Sequence, residues 1–385
     1  MRPASPLPAE PSIVGHNVWF FAAVPWDFPL VGRTRYLALG LKALGARVTF
    51  VEPTSLKRAL LRLRRPLRDP EVRVVRMPPS VPKLTDHLPA LPRALDAVSR
   101  LWLRRTLDGA RPMALVSNPR WAPILEGLDL GPVFYDCIDD LEIHAPPSLF
   151  ERYAQWERAL IARSAGCFAV TPALALALGE LGAKRVVVHR NGVSVDEFLA
   201  RASPPDPKGP RPRVGYLGAI FEWVDVALLT FAARALPELE FEVIGPVRRG
   251  VDVSALAKLP NVHLAGFRPY PLVPRAMASF DVGLIPFKEG PVARAADPIK
   301  VYEYFCFGTP VVTTPVGDVE RLAELLYVAS GPEAFVAAIR AALAEVRPDL
   351  RERRIEYARA NDWTERSRTL AQALLSTWQS GRDQA

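Results

Sequence analysis

Short β-branched runs alternate with stretches of helical period along almost the whole chain, and that alternation stops once and restarts. Val18–Ala23, Val48–Val51, Ala114–Ser117, Val133–Tyr135, Cys167–Thr171 and Val186–His189 read as strands, with helices over Arg33–Leu44 and Phe150–Arg163 between them. Parallel neighbours need a crossover long enough to hold a helix, so this order implies parallel sheets with helices on both faces. The pattern breaks at Ala202–Arg213, "ASPPDPKGPRPR", where prolines replace any apolar period; a linker or a surface loop has this composition. Strands then resume at Val214–Leu217, Phe241–Ile244, Val262–Ala265, Val282–Pro286 and Val311–Thr313, with helices over Pro298–Phe307 and Trp363–Trp378. The expected organisation is α/β: a doubly wound domain over 1–198, a Pro-rich linker over 199–212, a second such domain over 213–362 and a closing helix over 363–385. The length of 385 residues suits two domains. Ligands of such sheets bind at the carboxyl ends of the strands, here in a cleft between the domains.

Composition removes several other classes. No apolar run approaches the ~18–20 residues of a spanning helix, and Arg2 is followed by prolines and acids rather than a signal-peptide core. Cys137, Cys167 and Cys306 are scattered and odd in number, which favours a reducing compartment over a disulfide framework. The five histidines show no metal-ligand spacing. A net charge of +8 points to an anionic partner.

The most informative block is Asp297–Thr313, "DPIKVYEYFCFGTPVVT". Asp297 suits a helix N-cap and Pro298 the first turn. Lys300 and Glu303 then share one face near the helix start. A lysine there can neutralise a phosphate, and a carboxylate one turn on can accept two hydrogen bonds from a ribose diol. A surface i,i+3 ion pair has the same spacing. Gly308 and Pro310 end the helix.

This block, extended to "DPIKVYEYFCFGTPVVTTPVGD", resembles the C-terminal signature of retaining glycosyltransferases of the group 1/family 4 type, whose GT-B fold pairs two Rossmann-like domains across a cleft. "HRNGVSVDEF" at His189–Phe198 and "VGYLGAIFEWVD" at Val214–Asp225 are similar to two further segments of that family, and "YDCIDDL" at Tyr135–Leu141 and Val24–Pro53 resemble a bacterial polysaccharide subset. The resemblance implies that Glu303 binds the nucleotide ribose, with Asp297 and Tyr302 beside it, and that Lys300 contacts the diphosphate. It also implies that Gly215 and Gly218 admit the diphosphate against the backbone, and that the loop Gly266–Tyr270 receives the base. The chain departs from the family pattern twice. Ala295 stands where a glutamate is common, with Glu289 or Asp297 as candidate substitutes, and Ala219, Ile220 and Trp223 stand where an Arg/Lys pair is common.

On the first-domain side, Asp139 and Asp140 end a strand and should face the cleft. They read as catalytic groups that contact sugar hydroxyls or polarise an acceptor hydroxyl, as a manganese-binding pair, or as a helix cap with a first-turn acid. His144 lies just beyond. Arg33, at the start of the first helix, faces either donor phosphate or an anionic acceptor, or is a solvated surface arginine. Trp26 and Asp27 either stack on and hydrogen-bond a sugar, or the tryptophan is buried. Thr54–Arg76 holds eight basic residues, Lys57, Arg58, Arg62, Arg64, Arg65, Arg68, Arg73 and Arg76, against two acids, with leucines between them. It reads as a basic amphipathic helix on an anionic membrane or as a solvated face. No helix-turn-helix, RNA-binding or zinc-finger pattern accompanies the charge, so nucleic acid is not an expected partner.

The expectation is a cytoplasmic transferase, peripheral on the inner face of the cell membrane. It moves a sugar from a nucleoside diphosphate sugar to a hydroxyl of a glycan or lipid-linked acceptor, with retention, no metal and no cofactor. The rivals are a nucleotide-sugar epimerase or phosphorylase on the same fold, and a non-catalytic nucleotide-sugar or membrane-binding module.

Overall fold

The computed structural model describes residues 12–28, 32–54, 71–78 and 90–382. Two all-parallel sheets form, as the strand–helix alternation predicts. The first holds β1 (Asn17–Phe21), β2 (Arg47–Glu52), β3 (Arg73–Arg76), β4 (Met113–Val116), β5 (Val133–Cys137), β6 (Gly166–Ala169) and β7 (Val186–Val188), in the order β3-β2-β1-β4-β5-β6-β7. The second holds β8 (Arg213–Leu217), β9 (Glu240–Ile244), β10 (Val262–Gly266), β11 (Val282–Ile285), β12 (Val311–Thr313) and β13 (Tyr327–Val328), in the order β10-β9-β8-β11-β12-β13. Each sheet reverses its winding once, between β1 and β4 and between β8 and β11. A crevice opens at such a reversal, outside the carboxyl ends of the strands.

Period-two side-chain alternation splits the first domain into two cores. Trp19 and Phe21 of β1, with Tyr135 and Cys137 of β5, face the helices Phe150–Arg163 and Pro172–Glu180. Val18 and Phe20 of β1 and Phe134 of β5 face the opposite way, toward the helix Arg33–Ala43. Leu370, Leu374 and Leu375 complete that second core, so the closing helix, observed over Trp363–Arg382, covers the first domain and not the second. Its registration is tight: Tyr36 stacks on Trp363 with ring centroids 5.4 Å apart, and a Cβ on Gly40 would fall 1.9 Å from Ser367 Oγ.

The chain therefore crosses between domains twice, and the crossings lie side by side. Val193 donates its N–H to the Asn361 carbonyl and accepts from the Trp363 N–H, while Asp362 Oδ2 accepts from the Val195 N–H. The first crossing runs through the helix Val195–Ala200 into the proline-rich segment. That segment is anchored: Asp206 pairs with Arg268 and, at 3.6 Å, with Arg275.

Two elements correct the sequence reading. The end of the basic segment, Arg73–Arg76, is a parallel edge strand rather than part of a helix, and Arg76 pairs with the buried Glu52 at 3.3 Å. Lys57, Arg58, Arg62, Arg64, Arg65 and Arg68 lie outside the described residues. The helix of the "DPIK" block starts one residue late, at Ile299, so Pro298 and not Asp297 occupies its N-cap position.

Candidate active site

β8 runs into Gly218, whose φ of +141° favours glycine over residues that carry a Cβ. A Cβ there would lie 2.5 Å from Lys300 Cε and 2.8 Å from its Nζ. The missing side chain is what lets Lys300, from the helix Ile299–Phe305, lie across the end of the strand. Its ammonium sits 5.8 Å from the Tyr216 ring centroid and 5.6 Å from that of Phe287. Among the described residues no carboxylate comes within ion-pairing distance of it. Burial pulls the Lys300 pKa below the usual lysine value, and Glu303 works against that shift. A Gly218→Ala variant should displace the ammonium and, if the pocket takes the nucleoside diphosphate that the sequence resemblance implies, weaken its binding about tenfold or more, the scale of one charge-assisted hydrogen bond. Calorimetric titration checks this, and an unchanged affinity would remove Gly218 from the site.

Glu303 is 4% exposed and projects from the same helix face. Its Oε1 accepts a 2.8 Å hydrogen bond from the Tyr270 hydroxyl. Burial raises the Glu303 pKa, opposed by that hydrogen bond and by Lys300. Lys300 and Glu303 open into one pocket of about 240 Å³, walled by Gly218–Ala219, Gly245–Pro246 and the loop residues Phe267, Arg268 and Tyr270. These segments follow β8, β9 and β10, so the pocket lies at the carboxyl ends beside the winding reversal, where a ligand crevice belongs. Where the family pattern has an Arg/Lys pair, the wall carries Phe221 stacked on Trp223, with centroids 4.4 Å apart. The second cation, Arg268, is already engaged by Asp206 and, at 3.8 Å, by Glu242. The pocket thus offers one ammonium for an anion, one carboxylate for a diol and aromatic faces for a flat ring. A larger cavity of about 760 Å³ opens between Lys208–Pro212 and Phe307–Pro310. It lies at the amino ends of β8 and β12, away from this constellation.

Several expected site residues are placed elsewhere. Asp297 is buried and turned to the first domain, accepting from the Asn191 N–H at 2.7 Å and from the Tyr302 hydroxyl at 3.0 Å. Neither Asp297 nor Tyr302 lines the pocket, and Asp297 does not replace the glutamate missing at Ala295. Ala295 itself is buried, and its carbonyl accepts from Thr171 Oγ1 of the first domain. Glu289 is exposed. Gly215 makes room for a ring, not a phosphate, because a Cβ there would lie 2.1 Å from Phe280. Gly266 accepts from the Gly245 N–H at 2.8 Å and stands behind the pocket wall.

In the first domain Arg33 is buried, not solvated and not directed at a ligand. Its guanidinium pairs with Asp136 at 2.8 Å and also donates to His189 Nδ1 at 2.7 Å and to the Arg190 carbonyl at 2.9 Å. Burial, then the Arg33 charge, push the His189 pKa down to about 3, so His189 is neutral. Trp26 is buried against Phe50, with ring centroids 5.0 Å apart, and Asp27 is exposed. Asp140 caps the short helix Leu141–His144 by accepting from the Glu142 N–H at 2.9 Å. His144 ends that helix. Asp139 is partly buried just past the end of β5; burial and the neighbouring Asp140 raise its pKa to about 7. Among the described residues no three potential metal-ligating side chains cluster. The sequence reading missed Asp136, although it lies within "YDCIDDL", and Asp206 of the proline-rich segment, because no local spacing marks either carboxylate's partner.

Residues 31–192 match the model of the glycosyl transferase 4-like domain, and residues 211–345 match that of glycosyl transferases group 1. The chain belongs to the group 1 glycosyltransferases. The putative teichuronic acid biosynthesis glycosyltransferase TuaH of Bacillus subtilis is 31% identical to it over 193 residues, 47% of this chain and 49% of the relative. This glycosyltransferase therefore spans about half the length of that curated relative. Its fold is the GT-B fold. Sucrose-phosphate synthase from Thermosynechococcus elongatus superposes with a TM-score of 0.71 at 14% identity, over 95% of this chain and all of that one. HepE of Anabaena, solved with UDP and glucose, gives a TM-score of 0.66 at 15% identity, over 94% of this chain and all of that one. No described helix is long and apolar enough to cross a membrane.

Proposed function

We propose that this glycosyltransferase moves a sugar from a nucleoside diphosphate sugar to a hydroxyl of a glycan or lipid-linked acceptor, with retention and without a bound metal. One observation carries the reading: Lys300 and Glu303 leave one helix face into one pocket at the carboxyl ends of the second sheet. Lys300 would stabilise the charge that develops on the departing diphosphate, the main electrostatic task of such a transfer. Glu303 would hold the ribose, and the ring of the base would lie among Phe221, Trp223 and Phe267. That HepE was solved with UDP and glucose supports a nucleotide sugar as the donor. Asp139, with a pKa near neutrality, would polarise the acceptor hydroxyl from the facing domain. The basic segment from Lys57 to Arg68 would lie toward an anionic membrane that presents the acceptor, as its sequence suggests. A cytoplasmic location is part of the same proposal.

A thermal-shift screen of UDP-, GDP- and ADP-sugars tests the donor, since a ligand of the native state raises the melting temperature. The expected result is one stabilising donor whose nucleoside diphosphate is released faster when a glycan or glycolipid acceptor is added. Acceptor-independent turnover would favour an epimerase or phosphorylase. Donor binding without turnover on any acceptor would favour a binding module.

A further inference from the structure

The first-domain helix Ala90–Leu107 has two faces of different chemistry. At 3.6 residues per turn Asp96, Ser99, Leu103 and Leu107 fall on one side, and all four are buried. Leu103 and Leu107 join the core that Ala114 and Val116 of β4 share, Asp96 pairs with Arg120 at 2.8 Å, and Arg100 donates to the Pro123 carbonyl at 2.8 Å. The helix is therefore fixed from its inner side. The opposite side is a stripe of Ala94, Val98, Leu101 and Arg105, flanked by Trp102 and Arg104, all of them exposed. Val98 is 53% exposed, Leu101 51% and Trp102 36%. A surface helix ordinarily turns polar groups outward, so three large apolar side chains within two turns of the outer face call for a partner. The helix carries four arginines and one acid, and that acid, Asp96, is on the buried side. Among its described residues the outer face thus holds apolar groups and positive charge, and no negative charge.

We propose that this face docks the protein on an anionic lipid bilayer, with Val98, Leu101 and Trp102 entering the headgroup boundary and Arg104 and Arg105 meeting lipid phosphates. Interfacial helices combine these two contributions, and an indole suits the boundary because its ring is apolar and its N–H polar. Charge selects the occupant. A second copy of the chain would bring the same arginines to the contact and no acid from this face to meet them. The inner side of the helix says what docking would serve. Leu95, Asp96 and Ser99 line a cavity of about 230 Å³ at the carboxyl ends of β1, β2, β3 and β4. Arg120 lines it too, and its Nη1 is buried without a hydrogen-bond partner. Docking would set that cavity about 10 Å, one helix diameter, from the headgroups. The proposal rests on the reading that the acceptor is lipid-linked, and it places the lipid contact on this helix rather than on the Lys57–Arg68 segment alone.

Co-sedimentation of the full chain with phosphatidylcholine vesicles, with and without phosphatidylglycerol, tests this at low salt. The expected result is binding only where phosphatidylglycerol is present. Leu101→Ser combined with Trp102→Ser keeps every charge and alters only exposed side chains. It should lower the partition coefficient about tenfold or more, the scale of withdrawing two apolar side chains from the boundary. Arg104→Gln with Arg105→Gln should lower it about fivefold per arginine. Equal binding to both kinds of vesicle, or an unchanged partition coefficient in the double-serine variant, overturns the proposal. Replacing Arg62, Arg64 and Arg65 with glutamine separates it from the reading beneath it. If that variant loses binding while the double-serine variant keeps it, the basic segment is the lipid contact and only the present proposal is wrong. Binding of the wild type to neither vesicle overturns the proposal and the lipid-linked reading together. Sedimentation equilibrium covers the remaining occupant: a dimer that the double-serine variant dissociates, with vesicle binding unchanged, makes the face a contact between copies and overturns the proposal as well.

Discussion

Replacing Lys300 with alanine should lower kcat about 10²–10³-fold, the scale on which removing one preorganised donor to a developing charge acts. The size of the effect follows from how few cations the pocket has. Arg268 is held by Asp206 and Glu242, and the positions where relatives carry an Arg/Lys pair are filled by Ala219, Ile220 and the Phe221–Trp223 stack. Among the described residues that line the pocket, no second unpaired cation is on hand to take over. Steady-state kinetics with the donor found in the thermal screen check this, and the fall should be larger in kcat than in donor affinity. A loss below tenfold would mean that the leaving diphosphate is stabilised elsewhere.

The second large effect is on stability. Asp136 is 1% exposed and receives three hydrogen bonds from Arg33, two on Oδ1 and one on Oδ2. Asp136→Ala would leave a guanidinium buried beside a neutral His189 with no carboxylate to balance it. Breaking a buried pair from one side costs about 3–5 kcal/mol. The variant should therefore show a lower denaturant midpoint at unchanged m-value, equivalent to that loss. A change below ~1 kcal/mol would place Arg33 among groups that water can reach. Because the same guanidinium also donates to the Arg190 carbonyl, next to the clasp between Asn191 and Asp297, nucleotide affinity should weaken with it.

The fold was legible because its information is local. Alternation of period within each strand, the spacing between strands and the proline-rich break at 202–213 each need only a short window, and the two parallel sheets follow from them. The elements that escaped lack such a window. β3 reads "RVVR", with arginines at both ends of an edge strand, and β13 is two residues long. Lys300 and Glu303 were legible as a pair because one helix turn fixes their relation. Arg33, Asp297 and Tyr302 were not, because their direction depends on partners remote in sequence or facing domain. The carboxylate that turns Arg33 inward is 103 residues away, and the amide that turns Asp297 to the first domain is 106 residues away. A charged residue in a motif-rich stretch looks like a ligand contact until its neutralising partner is known. Gly215 and Gly218 look alike in sequence, yet one clears a path for a phenyl ring and the other for an ammonium.

The helix Trp363–Arg382 seals the flank of the lobe whose strands come first in the chain. An expression clone that stops after the opening 198 residues would thus display an oily stripe formed by Phe20, Leu37 and Phe168, and it should clump unless that helix is supplied as a separate peptide or grafted on. Anyone wishing to study the lobes separately would do better to excise the middle, joining the end of the early lobe directly to Trp363.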